Sequence, residues 1–163
     1  MGIGCLLALA LIALAGWPAP AGAYTAYVAN EGDGDTSVID TTTNTFAVPD
    51  LLTQIQPWGI AVTPDRTRAY VSSFDTVYVI NTQTNAIATG IAVGNAAGRG
   101  IALTPDGTRA YVVRQALDSV LAIDTATNTA IGTAITVGDF PDGIAIATTP
   151  LGGRAYVGSE AGR

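Results

Sequence analysis

Few residues in this chain are equipped for chemistry. Thirteen acids and seven arginines carry its formal charge of −6, and there is neither histidine nor lysine. Without histidine the commonest metal ligand and the commonest general base are missing. Structural zinc, His-dependent triads and His-ligated haem or copper are therefore excluded within these residues. Ser72 and Ser73 have no imidazole to activate them. The run Glu31–Asp35, "EGDGD", has the carboxylate oxygens a calcium loop wants, but it lacks the alternating acid spacing and the distal bidentate glutamate. A solvated hairpin tip is the preferred reading. "GNAAGRG" (Gly94–Gly100) contains glycine spacings of phosphate cradles, yet no helix follows it, so the context such a cradle needs is missing. No cofactor and no metal site is expected.

What remains is a set of residues suited to binding: Trp58, Phe74, Arg99, Arg114, Asp118 and Phe140. Aromatic faces, guanidinium forks and a carboxylate on irregular segments are typical of ligand-recognising loops. They are expected to line a shallow funnel, with no catalytic residue among them. Trp58 and Phe140 would serve equally well as seals between structural units.

A repeat is what would position them. Ala-Tyr-Val begins at Ala26, Ala69, Ala110 and Ala155, at spacings of 43, 41 and 45 residues. Gly-Ile-Ala begins at Gly59, Gly100 and Gly143, and the segments "VIDTTTNT", "VINTQTNA" and "AIDTATNT" begin at Val38, Val79 and Ala122, both at spacings of 41 and 43. A shared period of this size marks a stacked repeat architecture. Each period holds four strand-like runs separated by turn residues. In the third these are Gly100–Thr104, Arg109–Val113, Ser119–Asp124 and Ala130–Val137. "AYVV" is apolar on both faces, as in a sheet covered on both sides. Four antiparallel strands per repeat, packed face to face around an axis, make an all-β chain of β-propeller blades. The alanines of "GIA" are expected at the crowded inner edge.

Tyr27, Tyr70, Tyr111 and Tyr156 fall at one strand position, which predicts core or inter-blade packing with the hydroxyl satisfied nearby. Arg68, Arg109 and Arg154 recur close to the turn acids Asp65 and Asp106 and are expected to form structural ion pairs with them. Asp40 and Asp124, with Asn81 in the same slot, read as turn formers. The "TPDG" and "DTxTN" turns are nearly constant. By contrast, the loops 30–36, 72–75 and 114–119, and the connections 48–58, 94–99 and 138–142, all differ. In a meander both variable sets emerge on one face, so that face is expected to carry function.

The segments "GIALTPDGTRAYVVR" and "DSVLAIDTATNTAIGTAITVG" resemble the YVTN β-propeller repeat of exported and surface-layer-type bacterial and archaeal proteins. The name-giving tetrapeptide stands here as "YVAN", "YVSS" and "YVVR" at Tyr27, Tyr70 and Tyr111. The resemblance runs from Tyr24 to Val157 and implies the propeller fold. A WD40-like period is present, but the G-H…W-D signature is impossible without histidine.

Residues 1–23 read as a signal peptide, with the apolar run "CLLALALIALAG" and an Ala-x-Ala site ending at Ala23. No arginine or lysine precedes Leu6, and an uncleaved membrane anchor is the alternative. Cleavage would leave no cysteine, hence no disulfide or thiolate chemistry. Residues 24–163 read as a partial propeller. Its units are 24–58, a first blade without its first strand; 59–99; 100–142; and 143–163, the start of a fourth. The tally of thirteen strands is just over three blades, which suggests a partial chain of a longer propeller. A complete chain would instead self-associate through exposed blade faces.

Export predicts a secreted, periplasmic or cell-surface location and an extracellular ligand or protein as partner. The acidic balance argues against nucleic acid and against membrane beyond the leader. The leading expectation is a non-enzymatic binding or cell-surface scaffold module. The alternative is a propeller enzyme, lactonase-like or quinoprotein-dehydrogenase-like, with its catalytic part outside this chain. Single-stranded DNA binding, a second alternative, would need a basic aromatic groove that seven scattered arginines do not supply.

Overall fold

The computed structural model describes residues 24–53, 56–94, 98–149 and 152–160. The signal-peptide reading of residues 1–23 lies outside them. Among the described residues thirteen strands form antiparallel sheets of three, four, four and two strands. The first sheet is β1 (Thr25–Asn30), β2 (Asp35–Asp40) and β3 (Thr45–Phe46). The second is β4 (Ile60–Val62), β5 (Arg68–Ser72), β6 (Thr76–Asn81) and β7 (Ala86–Ala92). The third is β8 (Gly98–Leu103), β9 (Arg109–Arg114), β10 (Ser119–Asp124) and β11 (Thr129–Thr136). The last is β12 (Pro141–Thr149) and β13 (Gly152–Ser159). Every sheet is a meander in sequence order, the blade pattern of a propeller. One 3-10 turn, Gln115–Leu117, interrupts the strands, and no α-helix occurs among the described residues.

Local chemistry explains the turns. After β4, Thr63 donates its hydroxyl to Asp65 Oδ1 at 2.6 Å, and the Thr67 N–H donates to the same oxygen at 3.0 Å. After β8, Thr104 and Thr108 repeat this on Asp106, at 2.5 and 3.0 Å. These bonds hold the carboxylates in their ionised form. The Thr104 hydroxyl, then the Thr108 N–H, keep the Asp106 pKa down at about 2. Between the third and fourth strands, Asp40, Asn81 and Asp124 each accept the N–H two residues on, at 2.7, 2.9 and 2.8 Å. Asn44, Asn85 and Asn128 follow at φ of 56°, 49° and 55°, the left-handed region asparagine tolerates.

Strand alternation builds two cores from the middle sheet. Tyr70, Val77 and Val79 face the third sheet and pack with Ile101, Ala110, Val112, Leu121 and Ile123. Ala69, Val71 and Ile80 face the other way, toward Tyr27 of the first sheet and Leu51, which bridges to Thr36 beyond it. Tyr70, Val71, Val77, Val112 and Ile123 are fully buried. Each such aliphatic side chain contributes roughly 1.5–3 kcal/mol by leaving water. The outer strands β7 and β11 are largely exposed.

The inner edge corrects one expectation. Glycine, not alanine, meets the crowding there: a Cβ on Gly59 would lie 2.7 Å from the Arg99 carbonyl oxygen, and one on Gly100 2.8 Å from that of Asp142. The first strands of successive sheets touch backbone to backbone, and only glycine permits that approach.

The tyrosine position links neighbouring blades. Tyr27 donates its hydroxyl to Asn85 Oδ1 at 2.7 Å, and Tyr70 donates to Asn128 Oδ1 at 2.8 Å. Each bond runs from the second strand of one blade to the third-to-fourth turn of the next. Arg68 behaves likewise, and here the ion-pair expectation is corrected. Its guanidinium donates to the Thr125 carbonyl at 2.5 Å in the next blade, while Asp65 is occupied by its own threonines. The hydroxyls two residues either side reach the carboxylate first, and the longer arginine spans the junction.

Candidate functional site

At the end opposite the constant turns, the pairs Trp58-Gly59, Arg99-Gly100 and Asp142-Gly143 lie at or just before the start of β4, β8 and β12. Gly59 and Gly100 are required by the backbone approach just described; Gly143 repeats the residue, although a Cβ there would meet nothing within 4 Å among the described residues. The residue before each glycine is not so constrained, and three consecutive blades fill that position with an aromatic ring, a cation and an anion. Because the strands lie side by side, these side chains come into a row. The Arg99 guanidinium carbon stands 4.1 Å from the centroid of the Trp58 ring, a cation–π stack. Arg99 Nε lies 3.8 Å from Asp142 Oδ1 and donates to Gln115 Oε1 at 3.1 Å. A cavity of about 290 Å³ is lined by Trp58, Gly59, Arg99, Gly100, Asp142 and Gly143.

Ser72 anchors the base of this row. Fully buried, its hydroxyl accepts from the Gly59 N–H at 3.0 Å and donates to the Arg99 carbonyl, tying the second sheet to the third. The Trp58 indole N–H is buried and has no hydrogen-bond partner among the described residues. It stands next to a guanidinium that keeps donors beyond the one given to Gln115. Such a set suits a ligand that accepts hydrogen bonds, a carboxylate or a carbonyl above all.

The remaining sequence candidates lie at the same end in two further groups. Asp118, at φ of 44°, accepts the Phe140 N–H at 2.9 Å, which links the β9–β10 loop to the connection before β12. Phe140 is 58% exposed, an aromatic held out to solvent. Arg114 is half-buried, and its Nε has no partner among the described residues. Its guanidinium passes beside Gly94, where a Cβ would come within 3.4 Å of Nη2. Phe74 is half-buried, and its carbonyl accepts the Gly98 N–H at 3.3 Å. The structure thus joins Trp58 to Arg99 and Asp118 to Phe140. Asp142 and Gln115 complete the first group, although sequence reasoning did not single them out. Aligning the repeats on the glycine of "GIA" would have found Asp142, since it occupies the position of Trp58 and Arg99.

Among the described residues no three His, Cys, Asp or Glu side chains converge as metal ligands. The loop Glu31–Asp33 is an exposed turn, closed by Gly34 donating to the Asn30 carbonyl at 2.9 Å.

No protein-family model matches this chain, and no curated protein matches it. Solved structures do. Hydrazine synthase of Kuenenia stuttgartiensis superposes with a TM-score of 0.70 at 28% identity, over 78% of this chain and 36% of that one. U3-55K superposes with a TM-score of 0.65 at 12% identity, over 74% of this chain and 38% of that one. The chain therefore spans little more than a third of either neighbour's length. Both are β-propeller proteins, and with the four-stranded meanders they define the class: this is an all-β chain of propeller blades, a scaffold domain.

Proposed function

We propose that this chain is an exported propeller module of the YVTN-repeat kind, serving outside the cytoplasm as a binding or cell-surface scaffold. Its recognition site is the loop end, centred on Trp58, Arg99 and Asp142, and it takes an acceptor-bearing extracellular ligand or protein. The observation that carries this reading is the chemical divergence of one repeat position. Three blades agree on a glycine, which packing demands at Gly59 and Gly100. One residue earlier they differ as ring, cation and anion, and the three side chains stand in contact. The apolar leader with its Ala-x-Ala site supports export, and among the described residues no helix is long and apolar enough to cross a membrane. The likeness to hydrazine synthase covers a third of that enzyme's chain and supports a blade scaffold in this one.

The chain has two tryptophans, Trp17 and Trp58. In protein processed after Ala23, emission therefore reports the site alone. Titration with uronic acids, short acidic peptides and simple carboxylates should give a saturable change in Trp58 emission that Arg99→Ala abolishes and Arg154→Ala leaves intact. A panel that leaves the emission unmoved, or a change that survives Arg99→Ala, would overturn the assignment. Export is read separately, by the location of a reporter fused behind residues 1–23.

A further inference from the structure

Arg99 is held in two ways, and both leave the same part of it unspent. Its Nε donates to Gln115 Oε1 at 3.1 Å, and its guanidinium carbon stands 4.1 Å over the Trp58 ring. Gln115 belongs to the 3-10 turn between β9 and β10, so the third blade supplies both the arginine and the group that orients it. A guanidinium fixed along Nε and covered on one face by an indole keeps its two terminal nitrogens. They form a fork that meets a carboxylate end on. Asp142 Oδ1 lies 3.8 Å from the same Nε, outside hydrogen-bond reach, and the Asp142 side chain makes no hydrogen bond among the described residues. Cation and anion thus stand side by side without satisfying each other. Both line one cavity of about 290 Å³, at the small end for a ligand site.

We infer that the ligand of this row is a free α-amino acid, with its carboxylate end on to Arg99 and its ammonium on Asp142. The inference rests on the recognition reading of the Trp58 row and narrows it to a substrate class. Charge makes the selection. A simple carboxylate that reaches Arg99 meets the like charge of Asp142 at close range, and a simple amine on Asp142 meets Arg99. A zwitterion satisfies both and brings no net charge. The closeness of the two side chains sets the spacing: the ligand's charges must sit on one carbon, as in an α-amino acid, and not at the ends of a longer chain. The remaining lining of the cavity includes Gly59, Gly100 and Gly143, which have no side chains with which to read the ligand's own. The site therefore recognises the head group.

The test compares L-alanine, propionate, N-acetylalanine and γ-aminobutyrate by Trp58 emission in the chain processed after Ala23. Alanine should saturate at a concentration about tenfold lower than the other three, the effect of one charge-assisted hydrogen bond. Asp142→Asn should remove that advantage while propionate binds as well as before or better, because its repulsion is gone. A purely structural role for Asp142 would move both ligands in the same direction. Asp142 is 59% exposed and its ion pair is long, so the variant should keep the parent's melting temperature. Equal binding of alanine and propionate would overturn the inference, as would an alanine preference that survives Asp142→Asn. Either result leaves the Arg99-dependent binding of carboxylates standing. Alanine that leaves the emission unmoved also overturns the inference, and the uronic acids and acidic peptides then decide the broader reading separately.

Discussion

The two ends of these blades are built from the same strands and obey different rules. At the turn end, each carboxylate takes its hydrogen bonds from residues two or three positions away in the chain. The same bonds recur in blade after blade because the same short words recur. At the loop end, the repeated element is one glycine, and the contacts that matter run between blades: Gly59 against the Arg99 carbonyl, Gly100 against that of Asp142. A locally satisfied turn must keep its spelling. A backbone contact needs only the absence of a Cβ, so the residue beside it is free to diversify. The difference separates scaffold from recognition within one sheet.

That contrast is open to direct attack. The largest effect is expected from Gly59→Val, which would press a branched side chain on the Arg99 carbonyl and on Ser72 Oγ, 2.7 and 2.9 Å from the new Cβ. A loss of about 3 kcal/mol is expected, read as a shifted urea midpoint. Gly143→Val, where a Cβ meets nothing within 4 Å, should change that midpoint little. At the turn end, Tyr70→Phe removes the clasp to Asn128 and should cost about 1 kcal/mol, a fall of a few degrees in Tm. If the clasp is instead redundant with core packing, Tm will not move.

Asp106 gives a pH test of the same end. Its folded pKa of about 2 lies below the ordinary carboxylate range, because the Thr104 hydroxyl and the Thr108 N–H bind the ionised form. The resulting stability is complete above pH ~4, the range of an unfolded aspartate, and is lost as pH falls through the folded value. Thermal midpoints measured from pH 6 to 2 should therefore decline more gently at the acid end in Asp106→Asn than in the parent. The smallest stability effect is expected from Arg99→Ala at the loop end. Its stack on half-buried Trp58 contributes about 0.5–1 kcal/mol, and the 3.8 Å pair with exposed Asp142 adds little. Tm should move by a degree or two while Trp58 emission shifts clearly. A large drop in Tm would recast the row as structure.

How far each feature was legible follows from the same distinction. The "TPDG" and "DTxTN" turns were readable because their bonds close within a few residues. The tyrosine column was readable as inter-blade packing at Tyr27 and Tyr70 because its period was regular, whereas Tyr156 at the same strand position is exposed. Arg68 was misplaced because proximity in sequence suggested Asp65, whereas its partner is the Thr125 carbonyl, 57 residues on. Trp58, Arg99 and Asp142 share no residue type, so no repeated word announced them; only the glycine that follows each marks their common position, and their contacts appear once the strands lie side by side.

The order of residues was enough to set the blade. Val-, Ile- and Thr-rich runs of alternating direction, cut by Pro, Gly, Asp and Asn at a period of 41 to 43, admit little else than a four-stranded meander apolar on both faces. Which side chains meet across a junction was settled by the packing of one sheet on the next. That packing sets Arg99 on Trp58 and sends the Tyr70 hydroxyl to Asn128. Short-range hydrogen bonds are written in the chain residue by residue, whereas contacts between blades depend on the distance and stagger of whole sheets, which no single repeat encodes.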